Sequence, residues 1–175
     1  MNHPKKALIV IDVQNDYFPG GKLPLWNAEE TLQNIVSAIR LAQEKTITVI
    51  LVQHIVDPAL GPARFFVGNT EGVKIHDAVM EAAPDAPVVV KHHADAFLQT
   101  RLNDMLESLN AEETLFCGMQ TQNCVGLTAI SEKAGKYRVK LLGDCCTAQT
   151  EMVHLLALSG FGDRVPVSGR QAALS

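Results

Sequence analysis

Residues Ala7 to Val13 read ALIVIDV, a continuous apolar run interrupted by one carboxylate. An unbroken run of this length, rich in β-branched residues, is the pattern of a strand buried on both faces, and such strands belong to parallel sheets covered by helices. Working outward, Ala28 to Lys45 places Leu32, Ile35, Val36, Ile39 and Ala42 at helical spacing, and Thr46 to Gln53 (TITVILVQ) is a second apolar strand. Two such strands around a helix make a right-handed βαβ unit. The same alternation continues through the strand Pro87 to Val90, a helix over Leu98 to Leu109, the strand Thr114 to Cys117 and a helix from Val125 to Lys136. It ends with the strand Arg138 to Leu142, a turn at Gly143-Asp144, a helix over Glu151 to Leu158 and a short strand near Val165 to Val167. The spacing predicts a doubly wound α/β sheet in one domain spanning residues 1–175.

With 175 residues the chain is long enough to bury a core of its own. Its net charge of -4 and the absence of a long Lys/Arg run argue against a nucleic-acid or anionic-membrane surface. No apolar run approaches the ~20 residues of a membrane span, and the short polar lead Met1 to Lys6 passes straight into a strand. A cytoplasmic protein acting on a small molecule is the expectation. The four cysteines, Cys117, Cys124, Cys145 and Cys146, lack Cys-x-x-Cys spacing and read as thiols.

Three groups stand where the strands end, the place at which open α/β sheets bind ligands. Asp12 closes the first strand, and a buried carboxylate is costly unless paired; its alternative role is to cap the turn at Gln14 to Asp16. Lys91 closes the third and opens the titratable cluster Lys91-His92-His93-Ala94-Asp95, which would otherwise be a solvated surface. Beyond the fourth strand lies Gly118-Met119-Gln120-Thr121-Gln122-Asn123-Cys124-Val125, a strand-to-helix turn. It sets Cys124 at a helix N-terminus, where the dipole and free N–H groups favour thiolate and can hold an oxyanion. Phe18, Trp26, His54, Phe65 and Gln120 are candidate pocket residues. The loop His54 to Gly72 is long enough to cover a site or an interface.

The set Asp12-Val13-Gln14-Asn15-Asp16-Tyr17-Phe18, Lys91 with Ala96-Phe97, and GMQTQNCV, in this order, resembles the isochorismatase-like cysteine hydrolases, which include nicotinamidases and N-carbamoylsarcosine amidohydrolases. The resemblance covers nearly the whole chain. It implies a three-layer α/β/α fold with a six-stranded parallel sheet ordered 3-2-1-4-5-6. It also implies a catalytic triad of Asp12, Lys91 and Cys124, a cis peptide at Met119-Gln120, an oxyanion hole from the N–H groups of Gln120 and Cys124, and assembly into a homo-oligomer. The activity implied is cleavage of a small amide, ureido or carbamoyl C–N bond through a thioester, without a cofactor. Nicotinamidases carry an Asp-x-His metal pair after strand two, where this chain reads Gln53-His54-Ile55-Val56-Asp57. The departure points away from a metal and from nicotinamide, and leaves His54, Asp57 and His76 as the residues of any makeshift site. A silent binding member of the fold and a thiol redox sensor are the alternative functions.

Overall fold

The first strand, β1 (Lys6–Ile11), is buried from Ala7 onward and lies at the middle of the sheet, as its apolar composition requires. The computed structural model describes residues 4–175; Met1, Asn2 and His3, the outer part of the polar lead, lie outside the described residues. After β1 come α1 (Ala28–Glu44), β2 (Thr48–His54), α2 (Asp77–Ala82), β3 (Val88–Lys91) and α3 (Leu102–Ser108). They are followed by β4 (Glu113–Met119), α4 (Gly126–Ala129), β5 (Arg138–Thr147), α5 (Glu151–Gly162), β6 (Val167–Ser168) and α6 (Arg170–Ala173). The six strands are parallel throughout and ordered β3-β2-β1-β4-β5-β6. The order reverses between β1 and β4, so the chain leaves these two neighbours at the same end of the sheet in different directions and opens a crevice there.

Three segments depart from the sequence expectation. The helix expected over Val125 to Lys136 shrinks to the four residues of α4, preceded by one wide turn over Thr121–Val125 and followed by a 3-10 turn at Ala134–Lys136. Helix propensity is low along this stretch: Gly126, Ser131 and Gly135 interrupt it, and the Thr128 hydroxyl turns back to donate to the Cys124 carbonyl at 2.6 Å. A side chain at Gly126 would collide with the Phe161 ring of α5, so close packing sets that glycine. Second, Gly143-Asp144 is not a turn but the crest of a bulge within β5. Phe116 pairs with Leu141 and Gly118 with Cys146, so β5 advances five positions (141 to 146) where β4 advances two (116 to 118). Asp144 is fixed there by α6, accepting from the Arg170 backbone N–H at 2.9 Å and pairing with its guanidinium. Third, α2 falls in a stretch where no helix is expected. Six residues with one buried apolar side chain, Val79, carry too little periodicity to be read.

Candidate active site

Strand ends bring the chemistry together. His54 and Lys91 are direct register partners at the ends of β2 and β3, and Asp12 follows β1 with its N–H bonded to the Val52 carbonyl at 3.0 Å. Asp12 adopts a left-handed backbone conformation (φ 52°) that turns it out of the strand path, an uncommon conformation for a residue with a Cβ. Opposite it, Gly118 (φ 120°) lets β4 pass so close to β1 that any Cβ would overlap the Ile11 carbonyl. The Met119–Gln120 peptide is cis. The chain then makes the wide turn, closed by a bond from the Val125 N–H five residues back to the Gln120 carbonyl at 3.2 Å, and Cys124 lies within it. Such turns recur at functional sites.

Asp12 and Lys91 are fully buried, and Oδ2 of Asp12 lies 2.9 Å from Nζ of Lys91. Neither carboxylate oxygen completes a hydrogen bond of good geometry, so the contact at Oδ2 is an ion pair and Oδ1 is left without a partner. The Lys91 ammonium also meets Nδ1 of His54 at 3.0 Å and donates to the His93 carbonyl at 2.9 Å. Nδ1 of His54 is 3.7 Å from Oδ2 of Asp12 and 3.9 Å from Sγ of Cys124, and the three side chains hold their polar atoms within 4.8 Å of one another. The sequence-predicted Asp12, Lys91 and Cys124 therefore converge, with His54 as a fourth member.

Burial opposes charge on each of these groups. For Asp12 it is outweighed by the adjacent Lys91 cation, and the carboxyl stays below its ordinary value. For Lys91 it is likewise outweighed by Asp12 and then Cys124, which hold the ammonium above its ordinary value. Cys124 differs. Its residue is 2% exposed, burial and the Asp12 carboxylate both push the thiol up, and Lys91 only partly counters them. The thiolate expected from a helix N-terminus is therefore disfavoured: α4 is too short to supply that field, and burial beside a carboxylate pushes the thiol up.

Of the candidate pocket residues, His54 reaches the centre. The Gln120 amide donates to the Tyr17 hydroxyl at 3.4 Å and accepts from Gln122 at 2.7 Å. Phe65 is half-buried against Tyr17 and Phe66, whereas Phe18 is buried against the His76 ring at 4.6 Å. Trp26, 36% exposed, faces His154, and His154 in turn shares a 2.8 Å hydrogen bond with the Thr121 hydroxyl at the start of the wide turn. Sequence spacing gave no sign of Phe66, which packs on both Tyr17 and His54, or of Gln14. Gln14 is fully buried; its side chain accepts from the His54 N–H and donates to the His54 carbonyl, both at 2.8 Å, and donates to Val73 at 2.7 Å. Asp16 does similar work for the loop, accepting from the backbone N–H groups of Phe66 at 2.7 Å and Lys22 at 3.1 Å. A polar residue three places beyond a buried strand was the available signal for Gln14. The turn-capping alternative for Asp12 is not realised, since its side chain faces the lysine.

The donor set does not fit a metal ion. Asp57 caps a turn through the Ala59 N–H, His76 caps α2 through the Ala78 N–H, and His54 is engaged by Lys91. Around Asp12, His54 and Cys124, the place of a cation is taken by the Lys91 ammonium. The remaining thiols are structural: Cys117, Cys145 and Cys146 are buried in β4 and β5, burial raises all three, and Cys146, pushed up to about 12, donates to the Leu142 carbonyl at 3.2 Å. Among the described residues no helix is long and apolar enough to cross a membrane.

Asp12, Lys91 and Cys124 thus lie buried together at the switch point of a doubly wound sheet, and known proteins share this fold. The isochorismatase domain family matches residues 6–165. The chain is 38% identical over 144 residues to YddQ, an isochorismatase family protein of Bacillus subtilis (strain 168), covering 82% of this chain and 78% of that one. It is 28% identical over 166 residues to a streptothricin hydrolase of Streptomyces noursei, covering 94% and 62%. The crystal structure of a pyrazinamidase of Pyrococcus horikoshii in complex with zinc superposes with a TM-score of 0.84 at 25% identity, covering 95% of this chain and 99% of that one. The chain belongs to the isochorismatase family and is a hydrolase.

Proposed function

We propose that this hydrolase cleaves a small amide, ureido or carbamoyl C–N bond, with Cys124 as nucleophile and Asp12 as its proton partner. The observation that carries this reading is the fully buried Asp12 carboxylate, ion-paired through Oδ2 and unpartnered at Oδ1, next to a thiol that burial pushes up. A raised thiol and a lowered carboxyl make complete proton transfer unfavourable at rest. Transfer accompanies bond formation instead: as sulfur attacks the carbonyl carbon, the S–H proton passes to Asp12 and Lys91 balances the charge. The N–H groups of Gln120 and Cys124 receive the oxyanion. Asp12 then returns the proton to the departing nitrogen, and the C–N bond breaks to leave a thioester on Cys124. Water deprotonated by Asp12 hydrolyses it.

The amide-directed relatives support this chemistry by their names; their substrates do not transfer to this chain. The homo-oligomer expected from the family resemblance is supported by α5, whose Met152, Leu155 and Leu156 are exposed. Ammonia release from a panel of small primary amides, ureides and carbamoyl compounds tests the reading. Release is expected from wild type and lost in Cys124→Ala and Asp12→Asn; release that survives in Cys124→Ala would remove the sulfur from the reaction.

A further inference from the structure

Lys91 is an ammonium with three protons and, in this fold, three polar neighbours: Oδ2 of Asp12 as an ion pair at 2.9 Å, Nδ1 of His54 at 3.0 Å and the carbonyl of His93 at 2.9 Å. One neighbour is a charge, one is main chain, and one is a side chain with no part in the reaction proposed above. For Nδ1 to accept, the imidazole must be neutral with its proton on Nε2. The same nitrogen lies 3.9 Å from Sγ of Cys124.

We propose that His54 is a positioning residue of the active site, which holds the Lys91 ammonium between Asp12 and Cys124 so that its charge serves the thiol as well as the carboxylate. The inference rests on the reading of Cys124 as the nucleophile. Without Nδ1, the ammonium has two polar neighbours and only one is charged, so it swings to full engagement with Asp12 and its field at the sulfur weakens. Three elements packed around the imidazole show that the fold keeps it in place. The register pairs His54 with Lys91; Gln14, beyond β1, clamps its backbone N–H and C=O at 2.8 Å each; and the Phe66 ring lies 5.8 Å from the imidazole centre. The charged and titratable groups facing the ring are Asp12, Lys91 and Cys124.

Three substitutions separate positioning from packing. In His54→Asn the amide Oδ1 stands where Nδ1 does and can accept from Lys91. In His54→Gln the polar atoms fall near the position of Nε2, and His54→Ala has none. The readout is the rate of Cys124 alkylation by iodoacetamide as a function of pH, followed by peptide mass mapping, with far-UV circular dichroism confirming the fold of each variant. Expected are a drop of about tenfold in His54→Ala and His54→Gln with the alkaline rise moved up by about one pH unit, and recovery to within about threefold in His54→Asn. Equal rates and profiles in all variants, or an Asn variant no better than Gln, would overturn the positioning role. If His54→Ala does not fold, the Asn and Gln pair decides. A wild-type Cys124 that labels no faster than Cys117, Cys145 and Cys146 is the separate result that overturns the nucleophile reading beneath it.

Discussion

Nζ of Lys91 and Oδ2 of Asp12 stand 2.9 Å apart with both side chains wholly out of solvent. A buried pair of this kind gives little net stability over an apolar replacement, but removing one partner strands the other charge. Lys91→Met is therefore expected to destabilise the fold by about 3–5 kcal/mol. The double variant Asp12→Asn/Lys91→Met should recover most of that loss in urea unfolding while remaining without activity. A single variant as stable as wild type would mean the pair is solvated or unformed.

The same pair sets a pH window. Asp12 is depressed in the folded protein, so its contribution is present above the ordinary value of 3.8 and is lost as pH falls through the folded value beneath it. Lys91 is raised, so its contribution is complete below 10.5 and is lost as pH climbs through the higher folded value. The buried Cys124 thiol acts in the same alkaline direction from its ordinary 9.0 upward. Urea midpoints measured across pH for wild type and for Asp12→Asn/Lys91→Met should diverge below about pH 4 and above about pH 10, with wild type the one that falls more steeply at both ends. Parallel curves would contradict the assigned charges.

Gln14 offers a test of how the site is held. It makes three hydrogen bonds to backbone groups of His54 and Val73; truncation removes the side-chain partner of the His54 N–H and C=O, while the Val73 carbonyl keeps the Gln53 amide at 2.9 Å. Gln14→Ala is expected to cost about 1–3 kcal/mol and to lower activity together with stability. Retained activity at reduced stability would show that the clamp serves the fold alone.

Gly118→Ala should be worse than its size suggests. A methyl group there meets the Ile11 carbonyl, one residue before Asp12, at a backbone conformation that disfavours any side chain. Expected is a loss of more than about 2 kcal/mol, or insoluble expression. A soluble, active variant would show that β1 and β4 can separate at the switch point.

Much of this was legible in the sequence because parallel strands announce themselves by composition. The run ALIVIDV is apolar since both faces are covered, and Asp12 and Lys91 are conspicuous because they end such runs. What was not legible depends on geometry across the sheet. Nothing in Gln53-His54-Ile55 shows that the histidine lies in register with Lys91, and a polar Gln14 looks like loop until its partners are placed. The bulge at Gly143-Asp144 has the residues of a turn and differs only in that β4 and α6 hold both sides of it. The thiol's ionisation was misjudged because α4 was expected to be long, and burial then decided against charge.

A thioester on Cys124 can be trapped by mixing the protein with 4-nitrophenyl acetate and following nitrophenolate release alongside peptide mass mapping. The account predicts a burst of release, one acetyl group on the Cys124 peptide that hydroxylamine removes, and no burst in Cys124→Ser or Asp12→Asn. An identical burst in Cys124→Ser, or acetyl groups confined to surface lysines, would contradict it.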